Sequence, residues 1–300
     1  MTDRVHSDGT ETDAAATQPG SFRQVVAVFT RDRMATAGLI IVILFYLIAL
    51  FAPILAPYPD EGAGKPNASA LTQPPSAENI MGTDQLGRDV LSRIIIGARP
   101  TLLVPLVVVA LAILVGAPLG AIAGFRGGWV DTVIMRTTDL FLSFPSLLLA
   151  IAITAALGRG LFNAALALVI SWWPWYTRLV RGVAVSVRQS DFVEAAEAIG
   201  LTKMQIVRKH ILPNSVTPIV VQATIDLGIV IIAMGGLAFL GLGTQPPSPD
   251  WGLMISEGRS VLLSSWWVAT FPGIAIFIVV FCFNVIGDAL RDVFDPRTRR

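Results

Sequence analysis

Few side chains in this 300-residue sequence could carry catalysis or hold a nucleotide. A phosphate-cradling loop needs a glycine, four residues and then Gly-Lys-Ser/Thr, whereas Gly64-Lys65 is followed by Pro66 and lacks the earlier glycine. The two histidines, His6 and His210, do not form an HExxH zinc motif, and no GxSxG elbow for acyl transfer occurs. We therefore expect a chain without catalytic residues, metal or cofactor of its own, with an intramembrane enzyme as a remote alternative.

Two polar side chains stand out because they lie within long apolar runs. Asp226 falls near the middle of one such run, where a charge costs about 2.5–3.5 kcal/mol on insertion scales. This cost disfavours a lipid-facing position, and two roles stay open: a hydrogen bond to a neighbouring helix, or a place on a translocation path. Cys282 is the only cysteine, so the chain can form neither an internal disulfide nor a CxxC metal pair.

The composition predicts which elements must position these residues. Hydrophobic residues make up 54% of the chain and charged residues 14%, with a mean hydropathy of +0.68. Soluble domains carry about 25% charged residues, so this composition is typical of an integral membrane protein. The net charge of +1 and the scattered basic residues exclude a nucleic-acid partner.

Six apolar runs are long enough to cross about 30 Å of hydrocarbon, and they predict an all-α protein with six transmembrane helices. The runs are residues 37–56, 101–124, 140–158, 161–177, 216–240 and 268–287. Residues 1–21 contain too few aliphatic side chains to fold and are predicted to be a disordered tail. Residues 22–100 would hold the first span and an extracytoplasmic loop, residues 101–288 the transmembrane core, and residues 289–300 a C-terminal tail.

The distribution of basic residues predicts the orientation. With the N-terminus inside, 16 of the 22 lysines and arginines fall on the cytoplasmic side. Both termini are therefore expected in the cytoplasm. The outer basic residues concentrate before the second span, where Asp84 with Arg88 and Asp89 with Arg93 stand four apart. This spacing favours a short amphipathic helix on the outer interface.

The cytoplasmic loop 178–214 carries signals for two short helices. Asp191 and Glu194 have the spacing of a capping box, and Gly200 is suited to end the first helix. Thr202 and Gln205 form a second capping box. Pro213 is predicted to end the second helix near Leu212.

Several segments of the chain resemble a known family from about Arg23 to the C-terminus. The sequence EAAEAIGLTKMQIVRKHILP resembles the EAA motif of binding-protein-dependent ABC importer permeases. GTDQLGRDVLSRIIIGARPTL, FLGLGTQPPSPDWG and FNVIGDALRDVFDPR resemble segments of the second permease subunit of dipeptide, oligopeptide and nickel importers. The chain is identified as a member of this family because four such segments occur in the family's order.

The resemblance implies the type I ABC importer permease fold in a bacterial inner membrane. It implies a homologous permease partner, an extracytoplasmic substrate-binding protein and two ATPase subunits that hold the ATP and magnesium. It also implies that the EAA segment docks on an ATPase and couples nucleotide-driven movement to alternating access. The residues expected in this coupling are Glu194, Ala195, Ala196, Gly200, Leu201, His210, Leu212 and Pro213.

Other functions stay open from the residues alone. Peptides are the substrates that the resemblance favours, while nickel chelates and glutathione-like molecules remain alternatives. A secondary transporter would need a relay of ionisable groups within the spans, and only Asp226 lies well inside one. A structural membrane anchor for a peripheral complex would need the EAA segment but no polar path for a solute across the membrane.

Overall fold

The computed structural model describes residues 32–294, and this part of the chain is helical, with an isolated Thr83–Asp89 bridge in place of any sheet. The all-α expectation is confirmed for these residues. The predicted disordered tail, residues 1–21, lies outside them. The helices are α1 (Arg33–Leu50), α2 (Ala52–Leu55), α3 (Pro59–Gly62), α4 (Val90–Arg126), α5 (Gly128–Leu142), α6 (Ser146–Leu157), α7 (Leu161–Arg188), α8 (Asp191–Ala198), α9 (Lys203–Ile206), α10 (Leu212–Phe239), α11 (Trp251–Gly258) and α12 (Trp267–Phe294).

Four helices of the described residues are long and apolar enough to cross a bilayer: Arg33–Leu50, Val90–Arg126, Lys203–Phe239 and Trp267–Val293. They contain most of the predicted runs 37–56, 101–124, 216–240 and 268–287. Helix α12 continues to Phe294, within the predicted C-terminal tail 289–300, whose cytoplasmic position stays a prediction.

The third predicted span is broken rather than straight. Helices α5 and α6 meet at an angle of 85° around Pro145, and together they form a fifth candidate span. Proline has no N–H and disfavours a helical conformation in the residue before it, which explains the break. The fourth predicted run, 161–177, lies in α7, whose tryptophans and basic end lower its hydropathy; its crossing stays a prediction.

Helices α4 and α7 pack backbone to backbone along a row of glycines. A Cβ atom at Gly116 would lie 2.4 Å from the Trp173 carbonyl oxygen, and one at Gly120 would lie 2.3 Å from that of Thr177. The Thr177 hydroxyl also donates to the Gly116 carbonyl at 3.1 Å. Small residues permit such close helix pairs in bilayers, so α4 and α7 form one unit that leads to the loop after α7.

The predicted amphipathic interface helix is wrong. Residues 84–89 form a tight turn in which the Asp84 N–H donates to the Arg88 carbonyl at 3.0 Å. Helix α4 begins only at Val90. Asp89 caps this helix end, because its carboxylate accepts a hydrogen bond from the Ser92 N–H at 2.7 Å. The charges are buried in a cluster instead of facing an aqueous surface.

Candidate functional site

The coupling segment, defined as residues 190–213, connects α7 to α10. The N–H groups of Val193 and Glu194 donate to the Ser190 carbonyl at 2.9 and 3.4 Å, and α8 begins at Asp191. Asp191 is therefore the first helical residue, whereas the sequence predicted it as the capping residue just before the helix. Glu194 and Ala195 are exposed, whereas Ala196 is buried.

The end of α8 follows the sequence prediction. Gly200 has a φ of +88°, and the Leu201 N–H donates to the Ala196 carbonyl at 3.1 Å. Glycine adopts this left-handed conformation without a steric penalty. The second capping box is also confirmed: the Gln205 N–H donates to the Thr202 hydroxyl at 3.4 Å, and the Thr202 N–H donates to Gln205 Oε1 at 2.8 Å.

The predicted helix end at Pro213 is wrong. A π-helical turn, Val207–Ile211, joins α9 to α10, and the Leu212 N–H donates to the Val207 carbonyl across this turn. Pro213 then lies near the start of α10, two residues after the π turn. The wider π turn replaces the hydrogen-bonding pattern that the proline ring would obstruct, so the helix runs unbroken from the coupling segment into a candidate span.

One side of the coupling segment belongs to a hydrophobic core. Ile206 and Ile211 are fully buried, and they share this core with the ends of α4 and α7. The buried members are Ala117, Ala121, Phe125, Val180, Ala184, Val193, Ala196, Ile206, Val207 and Ile211. The segment is thus packed on α4, which is a candidate span, and on α7.

The other side of the segment is exposed and partly apolar. Ile199 is 78% exposed, and Phe192 and Met204 are also exposed. The Phe192 ring lies 5.6 Å from the His210 ring, measured between centroids. This side of the segment therefore leaves apolar side chains uncovered by the described residues.

Asp226 is buried inside the helix bundle of this chain, with 4% of its surface exposed. Gln222 Nε2 donates to Asp226 Oδ1 at 3.0 Å. Asp226 Oδ2 and the Tyr176 hydroxyl have no hydrogen-bond partner among residues 32–294. The bond to Gln222 lies within α10, so a hydrogen bond to a neighbouring helix and a place on a translocation path both stay predictions for Asp226.

A buried ionic cluster lies at the start of α4, and sequence reasoning found only part of it. Arg88 and Arg93 are 2% and 1% exposed and donate to Asp84 at 2.7 and 2.6 Å. Glu257 in α11 accepts from both arginines, at 3.1 and 2.8 Å. The predicted Asp89–Arg93 pair is not among the ion pairs of the described residues. Sequence reasoning missed Glu257 because this residue lies more than 160 positions after the two arginines, and no local spacing connects them.

Sequence comparisons agree with these features. Residues 116–300 match the family described as "Binding-protein-dependent transport system inner membrane component", and residues 21–75 match the "N-terminal TM domain of oligopeptide transport permease C". The dipeptide transport system permease protein DppC of Alkalihalophilus pseudofirmus is 44% identical over 100% of this chain and 97% of its own length. The probable D,D-dipeptide permease DdpC of Escherichia coli K12 is 43% identical over 88% of each chain. The glutathione permease GsiD of Pectobacterium atrosepticum is 41% identical over 90% of this chain and 89% of its own length.

The fold is also shared with a solved transporter. A chain of the inward-facing MetNI methionine ABC transporter has a TM-score of 0.55 and 23% identity, over 68% of this chain and 96% of that chain. The helical architecture is therefore that of an ABC importer permease. Together with the family matches, this places the chain among the binding-protein-dependent ABC importer permeases of the dipeptide and oligopeptide family.

Proposed function

We propose that this chain and a homologous permease form the translocation path for peptides or similar small solutes. Two ATPase subunits would dock on the permeases and would bind the ATP and magnesium. The observation that carries the proposal is the two-sided coupling segment, which packs into α4 and α7 on one side and exposes Phe192, Ile199 and Met204 on the other. Glu194 and Ala195 belong to the exposed side and are assigned to the ATPase contact.

Force would pass from the ATPase to the spans along two routes. The first runs through Ala196 and the buried core to α4 and α7. The second runs along the unbroken backbone from α9 through His210, Leu212 and Pro213 into α10. Gly200 and Leu201 fix the angle between the two routes. Because coupling is reciprocal, a substrate-loaded outer state should in turn favour ATPase closure.

The proposed topology adds α7, the fourth span along the chain, to the five candidate spans. It places both termini and the coupling segment in the cytoplasm of a bacterial cell. Single cysteines at Ala68 and Lys203, both exposed, test this in a Cys282→Ala background. On intact cells an impermeant thiol reagent should label the Ala68 position and leave the Lys203 position unlabelled. Permeabilised cells, in which both positions should react, are the control. The reverse pattern on intact cells would refute the orientation.

The substrate class follows from the relatives, whose names specify dipeptides, D,D-dipeptides and glutathione. A binding protein outside the membrane would deliver the peptide to the permease pair. Purification in mild detergent followed by mass spectrometry should identify a second permease and two ATPases. Vesicles that hold this complex should then take up a labelled peptide only with ATP inside and binding protein outside. Uptake driven by an ion gradient without ATP would instead identify a secondary transporter.

A further inference from the structure

A cavity of about 440 Å³ lies at the end of the bundle remote from the coupling segment. It is lined by the start of α4, the turn before α7 and the loop that follows α10. Helix α7 begins at this cavity and runs for 28 residues, about 42 Å at 1.5 Å per residue, before the coupling segment starts. A volume of this size is within the range of small-molecule sites, about 300–1,000 Å³.

Among the described residues that line this cavity, Arg99 is the only charged one. Its Nε and Nη2 atoms donate to the carbonyl oxygens of Ala49 and Leu50, both at 2.8 Å. These two bonds hold the guanidinium in place but do not neutralise its charge. Among residues 32–294 no carboxylate oxygen lies within 4 Å of Arg99. The cavity is therefore positively charged and has a positioned donor.

Thr244 also lines the cavity, but its hydroxyl is buried in the wall. The residue is 4% exposed, and within the described part of the chain its Oγ1 atom has no hydrogen-bond partner. Because this oxygen has almost no accessible surface, the charged donor that a ligand in the cavity would meet is Arg99.

The remaining walls of the cavity add apolar surface. Ile96, Leu161 and Pro249 are apolar and form the sides of the cavity, while the exposed Ser248 stands on its lining. A ligand that matches these walls has an anionic acceptor group joined to a small, partly apolar body. A carboxylate suits the guanidinium especially well, because it can accept charge-assisted hydrogen bonds from it.

We propose that this cavity binds the carboxylate of a small amphipathic solute, namely the C-terminal carboxylate of the peptide that the importer carries. Arg99 attracts the carboxylate and donates to it, and the apolar walls contact the adjoining side chain. The inference rests on the proposed function only in assigning the carboxylate to a transported peptide. The inference of a positive, partly apolar subsite rests on this cavity alone.

The test uses the assembled complex in vesicles, with Ser248→Cys introduced in the Cys282→Ala background. The introduced thiol is treated with an anionic and with a cationic methanethiosulfonate reagent, and labelling of this chain is quantified by mass spectrometry. A unit charge a few ångströms away should make the anionic reagent react about three- to tenfold faster than the cationic one, relative to the reagents with a free thiol. Arg99→Gln should abolish this preference. Arg159→Gln, which removes an exposed neighbouring arginine outside the cavity lining, should leave it intact.

Protection of the same thiol identifies the ligand. Millimolar alanyl-alanine should slow labelling, whereas its C-terminal amide should not, and Arg99→Gln should weaken the protection. Equal rates for the two charged reagents, no labelling in the complex, or equal protection by the acid and the amide would each overturn the proposal. Peptide uptake by vesicles with the unsubstituted complex is measured separately. Its absence would reject the proposed importer function, while the labelling results would still decide the subsite.

Discussion

The coupling segment and the start of α4 carry similar sequence signals but fold differently. Both segments combine charged residues with helical spacing, and both are predicted to form short helices outside the bilayer. In the coupling segment the glycine turn and the second capping box occur where the sequence places them. At residues 84–93 the first half is a turn, and the charges are buried against Glu257. Backbone signals between near neighbours thus predict local geometry, whereas charge spacing does not predict exposure.

The largest expected effect concerns the buried charges. Asp84→Asn would leave Arg88 and Arg93 with Glu257 as their remaining carboxylate partner. Breaking a buried ion pair on one side costs about 3–5 kcal/mol, so this variant should unfold at much lower temperature in detergent and accumulate poorly. The control is Asp60→Asn, which removes the exposed Lys65–Asp60 pair and should change stability by less than about 1 kcal/mol. Equal thermal stability of the two variants would show that burial does not distinguish the two pairs.

Two glycines with positive φ sharpen the comparison further. Gly87 and Gly200 have φ values of +75° and +88°. A Cβ atom at Gly87 would lie 1.8 Å from the Asn67 carbonyl oxygen, whereas nothing lies within 4 Å of one at Gly200. Gly200→Ala should therefore cost only the backbone penalty of about 1–2 kcal/mol, and Gly87→Ala should cost more because the Asn67 loop must move. Thermal unfolding of both variants measures this difference, and similar losses would contradict it.

The smallest expected effect concerns the second capping box. Thr202→Ala removes the hydroxyl that accepts from the Gln205 N–H and should cost about 0.5–2 kcal/mol, confined to the coupling segment. Hydrogen exchange should become faster in residues 203–206 and stay unchanged in α4. Thr202→Ser retains the acceptor and should keep the protection. If both variants exchange like the parent chain, the capping box does not stabilise this turn.

The sequence allowed prediction of features that depend on neighbouring residues. The apolar runs mark the candidate spans, and Gly200, Thr202 and Gln205 mark the turn between α8 and α9. It did not predict features that depend on tertiary partners. Glu257 joins the ionic cluster only because α11 folds back onto the start of α4.

Proline had different effects at two positions, and sequence alone did not distinguish them. Pro145 breaks a predicted span into α5 and α6. Pro213 is accommodated by the π turn at Val207–Ile211, so the predicted helix end is absent there. The outcome depends on whether a wider helical turn can precede the proline, which the surrounding packing decides.

The central claim is that the coupling segment transmits ATPase movement to the spans, and Gly200→Val tests it most directly. A β-branched residue is a genuine outlier at positive φ, so the turn should change while the spans still insert. The matched control is Gly182→Val, at an exposed α7 position where a Cβ meets nothing within 4 Å and φ is not positive. ATPase activity and substrate uptake are measured side by side in reconstituted complexes. We expect Gly200→Val to lose uptake and substrate-stimulated hydrolysis and Gly182→Val to keep both; full uptake with stimulated hydrolysis in Gly200→Val would contradict the role of this segment.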